Sequence, residues 1–283
     1  MGFSIKNALH KLQSVATQVE KKVEHTVAEG AKAVVQKAKD GFSTVERQGV
    51  VLGDAAARAI QNVTHPATIG TPNPKAGVGR PPVVLLAGQG DHATQAMKTY
   101  ARSLERDGFK VFIFDDPGHA MESHGDASKQ LDSLVEKIRK DTGAAKVDLV
   151  GYSTGGTNAR AYVNLYGGAD KVGRVVQLAG TNNGDPGAFG FMASGREERA
   201  GSKFIQQLNA QQANVPVYSI YEKGTDGAVQ EDDAKLKADG LRHNVELPQR
   251  QKGGGFIAWS DHVNLPYDAR AYEATVAALT NDG

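Results

Sequence analysis

Two hydrophobic rhythms divide the chain. From residue 3 to about residue 39, Ile5, Leu9, Leu12, Ala16, Val19, Val23 and Val27 recur at steps of four and three, with Lys and Glu between them. That spacing predicts one apolar stripe along a long helix. The stripe holds more Ala and Val than Leu, so a self-standing coiled coil is weakly specified. The segment is expected to pack on its own domain or on a second copy, with attachment to a membrane surface or to a partner as the alternative. A shorter helical stretch, VLGDAAARAIQNV, follows a break around Gly41 and Gly49. HPATIGTPNPKAGVGRPP, residues 65–82, then loses all periodicity and concentrates Pro and Gly, the composition of a linker.

Beyond the linker, short continuous apolar runs alternate with amphipathic segments. PVVLLAG (82–88), KVFIFDD (110–116), KVDLVGY (146–152), RVVQLAG (174–180), VPVYSIY (215–221) and NVEL read as strands. Helices are expected over 94–108, over about 126–142, after GYS at 151–153, and in the closing YDARAYEATVAAL. Strands that are apolar on both faces, separated by helices, predict a mostly parallel sheet covered on each side, a three-layer α/β domain. The expected organisation is an N-terminal helical segment over 1–64, a linker over 65–81 and the α/β domain over 82–283.

Charge and cysteine usage remove several function classes. Lys and Arg total 33 against 32 Asp and Glu, so no global field favours nucleic acid or an acidic substrate. There is no cysteine, hence no disulfide, thiol nucleophile or cysteine-rich zinc site. No apolar run approaches the ~20 residues that cross a bilayer. Lys6, His10, Lys11 and Gln13 interrupt what would be the apolar core of a secretory leader, and Lys6 stands where a myristoylation signal wants Ser or Thr. A cytoplasmic location is therefore expected, with export by a leaderless route as the alternative.

Two glycine-rich turns carry the candidate chemistry. In VVLLAGQGDHA, the sequence Gly88-Gln89-Gly90 with Ala93 fits G-x-G-x-x-A, a turn that lets backbone approach a dinucleotide pyrophosphate; Asp115 and Asp116 end the next strand, where a ribose could be read. The same loop could instead aim an amide at a developing oxyanion. The second turn, GYSTGG, contains G-x-S-x-G over residues 151–155, between an expected strand and an expected helix. A serine on such a tight turn needs small neighbours and stands exposed above the sheet, which makes Ser153 the candidate nucleophile. Its hydroxyl needs an imidazole to take the proton, and the imidazole needs a carboxylate.

Asp226, in EKGTDGAV just after a strand, fits the carboxylate role, with Glu222, Asp232 and Asp233 as rivals. Among eight histidines, His10, His25 and His65 precede the α/β domain, and His243 lies at the wrong end of its strand. His92, His119 and His124 are expected at the rim of the active edge. His262, in AWSDHVNLP before the last helix, is the candidate base. The order Ser153, Asp226, His262 is that of an α/β-hydrolase, and in that fold the amides of Gln89 and Thr154 would form the oxyanion hole. The dinucleotide alternative explains neither GYSTGG nor the two groups downstream of it.

KVDLVGYSTGGTNARAYVNLYGGADKVGRVVQLAGTNNG, followed by GSKFIQQLNA and VPVYSIYEKGTDGAV, resembles bacterial triacylglycerol lipases and esterases of the small α/β-hydrolase type, from about Pro82 onward. The resemblance implies the same five residues in the same roles, no metal and no organic cofactor. Two positions depart from it: Ala87-Gly88 replaces the His-Gly that often opens the oxyanion loop, and Tyr152 replaces a common His before the nucleophile. TNNGDPGAFGFMASGREERAGSKF, residues 181–204, is either a short flap beside an acyl groove or an ordinary connection. Tyr152, Phe189, Phe191 and Met192 are the expected substrate-binding residues. The implied activity is hydrolysis of short- to medium-chain acyl esters, or of polyesters, through a serine acyl-enzyme. Acyl transfer to an alcohol, and a scaffold role for the N-terminal helix, are the alternatives.

Overall fold

A computed structural model describes residues 67–249 and 261–282, apart from 117–119, 187, 189 and 191. The chain divides into two units, Met1–Val63 and Thr64–Gly283, and the described residues all belong to the second. The expected N-terminal helices and His119, Phe189 and Phe191 lie outside the described residues.

The apolar runs form β1 (Val83–Leu86), β2 (Val111–Phe114), β3 (Val147–Tyr152), β4 (Val172–Leu178), β5 (Val217–Glu222) and β6 (Arg242–Leu247). They pair in parallel throughout, in the order β2-β1-β3-β4-β5-β6. Every residue of β1, β3 and β5 is buried, which is why these segments carry no polar alternation.

Successive strand residues feed opposite layers. Val83, Leu85, Val150, Val176 and Ile220 join Met97, Tyr100 and Leu104 of α1 (Asp91–Arg106) and Ala271, Tyr272 and Leu279 of α7 (Ala269–Thr280). Val84, Leu86, Leu149, Val175 and Val217 join Leu131, Val135 and Ile138 of α2 (His124–Thr142) and Ala159, Tyr162 and Val163 of α3 (Thr154–Leu165). The three-layer arrangement expected from the alternating runs is the observed one.

Local chemistry sets the ends of these helices. The Ser123 hydroxyl caps α2 by accepting the Asp126 amide, and Gly143 ends it in the left-handed conformation. Helix α2 thus begins two residues earlier than the apolar period indicates, so that His124 falls inside it. Three short helices interrupt the later connections: α4 (Ala193–Glu198), α5 (Lys203–Ala210) and α6 (Glu231–Ala234). Residues 67–81, in the segment expected to be a linker, are fastened to the α/β unit. Ile69 is buried, its amide donates to the Ser103 hydroxyl at 2.8 Å, and the Asn73 amide donates to Asp107 at 2.9 Å.

Candidate active site

Strand β3 delivers Ser153 to the carboxyl edge of the sheet on a turn with φ 54° and ψ −131°. A β-carbon residue holds such a conformation only where its surroundings over-determine it. Here the Ser153 amide donates to the Leu178 carbonyl of β4 at 2.8 Å, while its own carbonyl accepts the Gly156 amide at 2.8 Å. The flanking glycines have a steric reason. A Cβ at Gly151 would be driven into the Gly155 carbonyl, and one at Gly155 into the carbonyls of Leu86 and Ala87. The turn is therefore pressed onto the loop after β1. In that loop a Cβ at Gly88 would lie 2.8 Å from the Ser153 Cβ. The G-x-G-x-x-A loop is thus a wall of the serine site.

Ser153 Oγ lies 3.1 Å from His262 Nε2, and His262 Nδ1 lies 2.7 Å from Asp226 Oδ2. Both partners are held by backbone. The His262 amide donates to the Asp226 carbonyl at 2.8 Å, and the Tyr152 hydroxyl donates to the His262 carbonyl at 3.0 Å. Asp226 closes its own turn, its Oδ1 accepting the amides of Ala228 at 3.0 Å and Val229 at 2.7 Å. Burial alone would raise this carboxyl. The attraction of His262, its hydrogen bond and those two amides outweigh burial and hold Asp226 below the ordinary carboxylate range. It is therefore an ionised acceptor that fixes the imidazole with Nδ1 protonated and Nε2 directed at the serine.

The Thr154 amide is the first of α3 and has no carbonyl of its own helix to donate to. Gln89 follows Gly88 in the loop that packs on Ser153. Tyr152, expected at the substrate, is buried with its ring 5.1 Å from that of His262. Met192 is buried at the N-terminal end of α4. Of the carboxylate rivals, Glu222 is buried at the end of β5, facing Arg270 at 3.8 Å, and Asp232 and Asp233 belong to α6. His243 stacks on Tyr218 within the sheet. Among the described residues, no group of three His, Asp or Glu is arranged to hold a metal.

One part of the neighbourhood was not anticipated. His124, expected at the rim, is fully buried, and with Asn158 and Glu198 it forms a polar cluster against Thr154. Glu198 is 45 positions beyond Ser153 in a glycine-rich stretch, and no local pattern marks it.

The sequence profile of the palmitoyl protein thioesterase family matches residues 82–223, just over half of the chain. The chain belongs to that family. It is a hydrolase of the α/β-hydrolase fold, and the ester hydrolysis expected from its sequence agrees with this membership. Solved structures of similar fold include the mature lipase BlEst2 of Bacillus licheniformis, 18% identical, with a TM-score of 0.53 over 75% of this chain and 96% of that one. Lipase B of Aspergillus fumigatus is 18% identical, with a TM-score of 0.55 over 81% of this chain and 57% of its own. At that identity they speak to architecture alone.

Proposed function

We propose that this thioesterase-family protein is a serine hydrolase that cleaves carboxylic esters through an acyl-enzyme. The observation that carries the reading is the unbroken chain from Ser153 Oγ through His262 to Asp226, at 3.1 and 2.7 Å. Ser153 Oγ attacks the acyl carbonyl carbon while its proton passes to His262 Nε2, and Asp226 stabilises the resulting imidazolium. The new oxyanion accepts hydrogen bonds from the Gln89 and Thr154 amides. Collapse of the tetrahedral intermediate expels the leaving group, which takes the proton from His262. Water, deprotonated by the same nitrogen, then attacks the acyl carbon and frees Ser153 with release of the acid.

None of these steps depends on whether an alkoxide or a thiolate leaves, so the substrate class includes acyl thioesters beside short- and medium-chain oxygen esters. The family's name supports the former and the sequence resemblance supports the latter. A panel of p-nitrophenyl esters and acyl thioesters of graded chain length ranks them by kcat/KM.

Ser153→Ala is expected to reduce p-nitrophenyl ester turnover by about 10⁴-fold or more and to leave the far-ultraviolet circular dichroism spectrum unchanged. Turnover near the wild-type rate in that variant overturns the proposal.

A further inference from the structure

Behind the Thr154 amide stands a polar cluster that the reaction scheme does not use. The Thr154 hydroxyl donates to Glu198 Oε2 at 3.1 Å. Glu198 Oε1 faces His124 Nε2 at 3.3 Å, and His124 Nδ1 bonds Asn158 Oδ1. Phe204 stacks on the imidazole at 4.3 Å, and Glu197 accepts the His124 backbone amide at 2.8 Å. All four members are out of solvent: His124 is 0% exposed, Thr154 2%, and Asn158 and Glu198 4% each.

Proton counting constrains the cluster. The Asn158 oxygen can only accept, so His124 Nδ1 carries a proton. His124 Nε2 faces Glu198 Oε1 across 3.3 Å, and Glu198 Oε2 accepts from Thr154. Burying such groups is costly unless they are held in place, and here hydrogen bonds tie Glu198 to Thr154 and His124 to Asn158.

The peptide joining Ser153 to Thr154 carries the proposed oxyanion donor, and its plane is set by the strained Ser153 backbone. A strained conformation relaxes unless its neighbours prevent it. The Thr154 side chain shares a Cα with that amide, so anchoring the hydroxyl restrains the direction of the N–H. The same short helix reaches the other donor residue: Ser194 Oγ donates to the Ala120 carbonyl at 2.7 Å and lies 3.5 Å from Gln89 Nε2.

We infer that Glu198, backed by His124, is a positioning residue for the oxyanion hole, holding the Thr154 amide in line through the Thr154 hydroxyl. The inference rests on the serine reading above and extends it into α4.

The test measures kcat and KM for p-nitrophenyl butyrate together with the melting temperature of each full-chain variant. Glu198→Ala and Thr154→Val are each expected to lower kcat by about 10- to 100-fold, since ångström-scale misplacement of a reacting group costs up to ~10²-fold. KM should stay within about twofold, because the donor acts on charge that develops after binding. The double variant should be no slower than the worse single one, because both remove the same contact. Glu198→Gln should recover at least about fivefold in kcat over Glu198→Ala, since an amide oxygen can still accept from the Thr154 hydroxyl.

Two outcomes overturn the inference: kcat within about twofold of wild type in both single variants, or a double variant whose loss is the product of the two. If Glu198→Ala does not fold, Thr154→Val decides alone, because it removes the hydroxyl and keeps the amide. Ser153→Ala is run in parallel. If it is inactive while the other variants are unimpaired, the inference falls and the serine reading stands. If it remains active, both fall.

Discussion

Asp148 places a carboxyl in the second position of β3, between Val83 of β1 and Arg174 of β4, with 1% of its surface exposed. Burial pushes it up from 3.8 to about 7, against the opposing pull of Arg174, whose Nε lies 3.4 Å from Oδ2. Between the ordinary value and about 7, the folded state holds a proton that the unfolded chain has released. Stability contributed by this group therefore falls as pH rises through that window and is lost above it. Asp148→Asn is expected to remove that slope and to stabilise the protein at pH 8 by roughly 1–3 kcal/mol, a few degrees in melting temperature, with little effect near pH 4. Arg174 keeps three carbonyl acceptors, those of Ala278, Leu279 and Asn281, in the variant. A melting temperature that falls at pH 8 would refute this account. Ser153 was legible in sequence because its turn needs a five-residue pattern, and Asp226 and His262 because each follows a strand in the required order. Asp148, His124 and Glu198 were not, because the meaning of each depends on a neighbour contributed by a distant part of the chain.

The nucleophile turn and the loop after β1 behave as one element, because the backbone of the first is packed on the carbonyls of the second. Gly155→Ala would force a methyl group against the carbonyl oxygens of Leu86 and Ala87, backbone atoms that cannot swing aside. Separating the two should displace both proposed oxyanion amides at once. A kcat loss of about 10²-fold or more is expected, the scale of losing an oxyanion donor, with a lowered melting temperature. Gly240→Ala, where an added Cβ meets nothing within 4 Å and φ is unremarkable, is the control and should change neither. Equal behaviour of the two variants would mean that the packing has no functional consequence. The six strands were legible because a parallel sheet buried on both faces makes continuous Val, Ile and Leu runs. Helix α4 had no such signal: it spans only six residues amid glycines, and Ser194 and Glu198 hold it through polar contacts.

The α/β unit includes a strap that composition alone described as a tether. Arg106 donates to the carbonyls of Ile69 at 3.0 Å and Gly70 at 3.2 Å. Asp107, 1% exposed, accepts from the Asn73 amide, from Arg106 and from the Tyr272 hydroxyl at 2.7 Å. Gly70 lies against the Tyr272 ring so closely that a Cβ there would strike it. Residues 67–81 thereby join the end of α1 to α7, and Pro and Gly serve to route an irregular backbone across them. Pro/Gly content cannot separate that role from a free linker, because the fastening is made by carbonyls and amides that every residue carries. The unit's effective boundary is therefore before residue 67. Deleting residues 1–66 is expected to leave kcat/KM within about twofold and the melting temperature within a few degrees. Deleting 1–81 exposes the Ile69 site and removes the Asn73 amide from Asp107, which keeps Arg106 and Tyr272, at about 1.5–3 kcal/mol for the lost apolar burial and ~0.5–1.5 kcal/mol for the lost hydrogen bond, and should lower the melting temperature by roughly 5 °C or more. Thermal melts of the two truncations beside the full chain separate the cases. Loss of turnover on the shorter deletion would make the N-terminal unit part of the catalytic apparatus. Equal stability of both truncations would show that the strap contributes nothing to the fold it crosses.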